Sequence, residues 1–242
     1  MPEIWIYIVI ALGAYLLGSI PFGFLVARAK GIDIRKVGSG NIGATNAMRV
    51  LGKPAGIFVL LVDAAKGFVA CYLGVFIWIC YLNSFNGLHP ADFDSSAINK
   101  AIDSFPNVPI ISGIFAVLGH NYTCWLKFKG GKGIATSAGV YLALAPVALG
   151  IALAVFILAV LATRYMSVGS IAAAIALPAA VWILPPHNLF LGIVTTALGV
   201  LAIWKHKSNI QRLMAGTENR LGKKAACENT RPTGQNKSED AK

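Results

Sequence analysis

Three stretches gather the residues that could do chemistry. In GSGNIGATNAMR, Ser39, Asn41, Thr45, Asn46 and Arg49 stand among Gly38, Gly40 and Gly43. Glycine admits backbone conformations that let successive N–H groups converge on an anion, and an arginine can hold a phosphate through two parallel hydrogen bonds. In GHNYTCWLKFKGGKGIATS, His120 precedes Lys129, Gly130, Gly131, Lys132 and Gly133. A helix starting near Ile134 would turn its positive end and free N–H groups towards an oxyanion. In HKSNIQRLMAGTENR, His206 and Asn209 share one helical face at i, i+3, and Glu218 follows. Anion recognition, with histidine available as acid, base or hydrogen-bond donor, is the chemistry these residue types offer.

Three familiar spacings fail on context. Gly38, Gly40 and Gly43 match G-x-G-x-x-G, and Asp63 lies about 20 residues on, where a dinucleotide site places its ribose ligand. That fingerprint requires a strand before it and a βαβ unit around it; here an apolar span precedes the glycines and Asp63 sits inside another. Lys132 resembles a P-loop lysine, but Gly133 stands where Ser or Thr is needed. His89 to Asp94 has the H-x-x-x-x-D form of a glycerolipid acyltransferase motif, yet it falls in an acidic stretch away from every basic cluster.

The elements that must position these residues are set by composition. Of 242 residues, 56% are hydrophobic and 13% charged, where soluble domains carry about 25% charged residues. Apolar runs long enough for a hydrocarbon core of about 30 Å recur along the chain, which makes it one polytopic all-α membrane domain over residues 1–223. The first run ends in Arg28 and Lys30 without a small-residue cleavage site, so it reads as a retained span. The four cysteines form no C-x-x-C pair and suggest neither a disulfide framework nor a metal site.

Charge sets the topology. Basic residues cluster at 28–53, 127–133 and 205–242, while Asp92, Asp94 and Asp103 lie in the loop 83–109. This alternation follows the positive-inside rule and needs no nucleic-acid partner, despite a net charge of +11. Spans are expected near 4–27, 55–82, 109–126, 134–145, 147–163, 167–184 and 189–204, with Pro146 dividing the long run 134–163. A re-entrant hairpin would satisfy the same parity. About seven segments result, with the N-terminus outside and the C-terminus cytoplasmic. The polar tail 224–242 reads as disordered. Asp63 and Lys66, charged within a span, are spaced to pair with each other.

Together, GSGNIGATNAMR, GH followed by FKGGKGIAT, and HKSNIQRLMAGTENR resemble the three cytoplasmic motifs of the bacterial acyl-phosphate:glycerol-3-phosphate acyltransferases. Departures are few: Ile134 stands for a frequent valine, Tyr122 to Trp125 replaces a segment often carrying phenylalanine and proline, and the loop 83–109 is long. The resemblance implies a cofactor-free, metal-free enzyme of the bacterial inner membrane. It would move a fatty acyl group from acyl phosphate to the sn-1 hydroxyl of glycerol 3-phosphate, giving lysophosphatidic acid and phosphate. Its neighbours would be the enzyme that forms acyl phosphate and the next acyltransferase.

Carried over by position, Ser39, Asn41, Thr45, Asn46 and Arg49 would line the site and hold phosphate, with Ser39 and Arg49 the strongest catalytic candidates of the first motif. Lys129, Lys132 and the glycines would hold glycerol 3-phosphate, His206 and Asn209 would orient it, and Glu218 would brace the fold. Ser167 and Ser170, just past Arg164, are candidates for the rim, and the candidates for the base are His120, His206 and a phosphate oxygen of a substrate. A mixed anhydride already carries a good leaving group, so direct transfer without an acyl-enzyme is expected. The rival class is a secondary transporter of an organic phosphate, which would show internal repeats and substrate groups near the bilayer midplane.

Overall fold

The computed structural model describes residues 4–86 and 107–221, and the regular structure in them is helical. Helices α1 (Ile4–Ser19) and α2 (Phe22–Ala29) are one apolar stretch broken at Pro21, because proline has no N–H to continue the ladder. Carbonyls freed by the break are taken by side chains from distant segments: the Thr123 hydroxyl donates to Ser19 O at 2.5 Å and the Lys66 ammonium to Ile20 O at 2.9 Å. In hydrocarbon such carbonyls must find a donor within the protein.

Helix α3 (Ala44–Leu51) is short and amphipathic, and α4 (Lys53–Asn86) is the pillar of the fold, about 51 Å long at 1.5 Å per residue. Against α4 pack α1, α3, α5 (Asn107–Asn121) and α6 (Ile134–Leu144). Small residues let α4 and α6 touch backbone to backbone: a Cβ added at Gly139 would lie 1.8 Å from Ala64 O. Helices α7 (Pro146–Thr163), α8 (Met166–Ile183) and α9 (Leu189–Lys205) pack in sequence, and α10 (Lys207–Met214) bends from α9 by 50° at His206.

The run 134–163 divides at Ala145–Pro146 into α6 and α7. The expected span 109–126 is corrected: α5 stops at Asn121, and Cys124–Leu126 forms a 3-10 turn. Lys127 and Phe128 then take left-handed backbone, φ 53° and 60°, which returns the chain to pair with the end of α5. Four stretches among the described residues are long and apolar enough to cross a membrane, and the bent α9–α10 pair makes a fifth. Helices α5 and α6, of 15 and 11 residues, are shorter than the roughly 20 that a full crossing takes.

The exterior of the bundle is apolar. Leu61, Leu158, Leu161 and Val200 are each more than 60% exposed, an arrangement unfavourable in water and neutral in lipid tails. Residues 87–106, with the His89 to Asp94 string and most of the acidic loop, and the tail 224–242 lie outside the described residues.

Candidate active site

The first loop is built around Asn46. Buried at 2% exposure, it accepts the Ser39 N–H through Oδ1 at 2.9 Å. Its Nδ2 donates to the carbonyls of Ile34, Val37 and Asn41 at 3.3, 3.0 and 2.9 Å. Gly38 must be glycine here: its φ is +64° and a Cβ would lie 2.3 Å from Asn46 Oδ1. Asn41 Oδ1 in turn takes the Gly43 N–H at 2.7 Å. Backbone N–H groups expected to converge on an anion are therefore engaged at Ser39 and Gly43. The side chains of Ser39, Thr45 and Arg49, on the outer turn and on α3, line the cavity described below.

The second loop is likewise fixed through its backbone. Gly130 N–H donates to Asn121 O at 3.2 Å and Gly131 N–H to His120 O at 3.0 Å, so both N–H groups are engaged in closing the turn. Gly131 packs on the His120 ring, where a Cβ would lie 2.1 Å from Nε2. Beyond them the N-terminus of α6 opens on the site through Ile134 and Ala135. Lys132 reaches inward and donates to Asn209 Oδ1. Burial pushes its ammonium down to about 8 from its ordinary 10.5; the Glu218 carboxylate opposes that shift, while Arg212 and Arg49 reinforce it.

The third stretch closes the site. His206, at the α9–α10 bend and 3% exposed, has Nδ1 2.7 Å from Ala202 O. Because a carbonyl only accepts, Nδ1 carries the proton, and a neutral ring offers Nε2 as an acceptor. Asn209 Nδ2 donates to Glu218 Oε1 at 2.8 Å, and Arg212 Nε donates to Glu218 Oε2 at 2.7 Å. Partial burial raises the Glu218 carboxyl, but the hydrogen bonds from Asn209 and Arg212 and the arginine charge outweigh it and hold the group below its usual range. Gly216, with φ +69°, ends α10 and turns Glu218 back onto it.

These pieces meet around a cavity of about 150 Å³, smaller than the roughly 300 Å³ at which drug-sized pockets begin. Ser39, Asn41, Gly43, Thr45, Asn46 and Arg49 come to it from the first stretch. His120, Lys132 and Gly133 come from the second, and His206, Asn209 and Glu218 from the third. Ser167 and Ser170, at the start of α8, also line it; Ser170 donates to Met166 O at 2.9 Å, within its own helix. Gly38, Gly40, Gly130 and Gly131 stand behind the lining, and Lys129 is exposed outside it.

Asp63 and Lys66 pair at 2.7 Å, and Asp63 lines the wall 3.6 Å from His120 Nδ1. Leu60, Phe156, Met166 and Asn219 also line the cavity. Sequence reasoning missed the first three, since an apolar residue facing the cavity looks the same in a sequence as one facing lipid, and passed over Asn219 although it lies within the third stretch. Arg212, engaged by Glu218, was legible only as one more basic residue. A second cavity, about 510 Å³ and lined by Tyr72, Ile110, Leu144, Val181 and Leu191 among others, carries no charged side chain and suits no anion.

The family model described as glycerol-3-phosphate acyltransferase matches residues 8–216. A glycerol-3-phosphate acyltransferase of Desulforamulus reducens is 42% identical over 219 residues, covering 90% of this chain and 96% of that one. One from Geobacter sulfurreducens is 44% identical, covering 86% and 94%. A crystal structure of PlsY, an integral membrane glycerol 3-phosphate acyltransferase, in its glycerol 3-phosphate form is similar at a TM-score of 0.73 and 36% identity, covering 89% of this chain and 96% of that one. Its lysophosphatidic acid form gives 0.71. With matches spanning nearly its whole length, the chain belongs to the glycerol-3-phosphate acyltransferase family, as a polytopic all-α membrane protein.

Proposed function

We propose that this protein transfers a fatty acyl group from acyl phosphate to the sn-1 hydroxyl of glycerol 3-phosphate, giving lysophosphatidic acid and inorganic phosphate. The observation that carries this reading is the convergence of Arg49, Lys132, His206, Asn209 and the Ser39 hydroxyl on one small cavity. Two phosphate-bearing substrates require more than one cationic grip, and Arg49 on α3 and Lys132 on the 130–133 turn supply them from different segments. Arg49 has no ion-pair partner among the described residues, so its guanidinium is available for bidentate contact. Lys132 and Asn209, already in contact, address the acceptor, and His206 Nε2 accepts a hydrogen bond from its hydroxyl.

In the reaction the sn-1 oxygen forms a bond to the acyl carbonyl carbon as the bond from that carbon to the phosphate oxygen breaks. Phosphate leaves with the bonding electrons, and the hydroxyl proton ends on it. Among the described residues no hydrogen bond joins a serine or cysteine to a histidine, which supports direct attack without an acyl-enzyme. Orientation of the hydroxyl and electrostatic stabilisation of the tetrahedral oxyanion are then the protein's contribution. Residues 1–223 act as a single domain of about seven segments. The cavity faces the cytoplasm and the N-terminus lies outside, because each loop that supplies the cavity is basic.

Purified protein supplied with acyl phosphate and labelled glycerol 3-phosphate tests this reading. Formation of lysophosphatidic acid is the expected result. Its absence from folded protein, with phosphate flux across liposomes instead, would establish the transporter class.

A further inference from the structure

Asp63 and Lys66 occupy the apolar length of α4, at 2% and 4% exposure, and pair at 2.7 Å. A buried ion pair is weak evidence for stability, because desolvation cancels much of the attraction, and ionisable groups within a span generally have work to do. The further contacts of this pair show what it holds. Lys66 is anchored by Ile20 O at 2.9 Å, at the α1–α2 break. Asp63 Oδ1 faces His120 Nδ1 at 3.6 Å. The opposite edge of that ring supports Gly131, whose N–H is bonded to His120 O. Lys132 is the next residue, and its ammonium meets Asn209.

We propose that Lys66, Asp63 and His120 are positioning residues acting on Lys132: the ion pair fixes the imidazole, the imidazole fixes the 130–133 turn, and the turn fixes where the ammonium meets the acceptor's phosphate. The inference rests on the function proposed above. Charge balance supports it from a separate direction. Asp63 lies in the wall of a cavity that must admit anions, and Lys66 cancels a carboxylate that would otherwise repel them. The contact also gives position 131 a reason to be glycine, since any Cβ there would strike the ring at 2.1 Å.

The test is an acceptor titration at saturating acyl phosphate, with the full chain in nanodiscs. Lys66→Met is expected to raise the KM for glycerol 3-phosphate more than tenfold while kcat stays within threefold. Adding Asp63→Asn to it should recover most of that loss, because no unpaired carboxylate remains. His120→Ala and Gly131→Ala should each raise KM, and the double variant should be no worse than His120→Ala alone, since the three atoms nearest the added methyl all belong to the ring that His120→Ala removes. That second cycle leaves the ion pair in place and tests the link from imidazole to turn, on which the proposal depends, even if Lys66→Met does not fold. Additive effects at positions 120 and 131, or a fall in kcat at constant KM, would overturn the proposal. A folded wild-type chain that does not acylate glycerol 3-phosphate would overturn the functional reading and this inference with it, whereas an active wild type with additive variants overturns the inference alone.

Discussion

Raising the pH should discharge Lys132 while the rest of the cavity keeps its charges. Burial holds this ammonium at about 8 in the folded protein, against an ordinary 10.5. The phosphate of glycerol 3-phosphate is fully ionised well below that, its second ionisation lying near about 6. At pH 9 only about a tenth of the lysine remains charged, so kcat/KM for the acceptor should be about tenfold lower than at pH 7 and should fall with unit slope beyond. Bound phosphate favours the charged lysine, so the loss belongs in KM and kcat should hold to higher pH.

Unfolding does not account for such a loss. A lysine whose folded pKa lies below its unfolded value makes the native state more stable as pH rises from about 8 to 10.5. The assay is a pH series of initial rates in nanodiscs, with thermal unfolding followed in parallel. Lys132→Arg, charged throughout this range, should lower the overall rate but abolish the alkaline limb. A wild-type profile flat to pH 10, or a limb that survives in Lys132→Arg, would remove Lys132 from acceptor binding.

Other outcomes follow from the same geometry. Arg49→Ala should unfold at the wild-type temperature yet lose about 100-fold or more in kcat/KM, the effect of removing one preorganised electrostatic contact; wild-type turnover would exclude it from the site. Asn46→Ala leaves the Ser39 N–H and three carbonyls without their partner and should destabilise the fold by about 2–4 kcal/mol. Asn46→Asp should be worse still, because a carboxylate would face those three carbonyls, and equilibrium unfolding in denaturant ranks the pair. Glu218→Ala, which frees Asn209 and Arg212, should cost about 1–3 kcal/mol in stability and raise the acceptor KM, whereas Glu218→Gln should keep most of both.

How much of this was legible in the sequence depends on the range of the physics involved. Apolar runs, the proline break at Pro146 and the segregation of basic loops act over a turn or two of chain, whereas the break at Pro21 inside the first span was seen only in the structure. Composition alone thus determined an all-α membrane protein, and the three polar motifs marked the loops that build its site. The boundary at Asn121 was not legible, because it depends on Gly130 and Gly131 returning to pair with the end of α5.

Roles inside the motifs were decided only in three dimensions. Asn46, which read as a ligand for phosphate, turns its amide to the loop itself, and Lys129 and Lys132, three residues apart, part company between solvent and cavity. Lys132 meets Asn209 across 77 positions and Lys66 meets Ile20 across 46. Contacts at that separation depend on how α4 crosses its neighbours, where small residues such as Gly139 set the approach of whole helices. Sequence by itself determined which groups were available and on which loops, since residue type and hydropathy are local. Which of them share one 150 Å³ cavity was decided by the packing of the bundle, since only close-packed helices bring the ends of distant segments to one point.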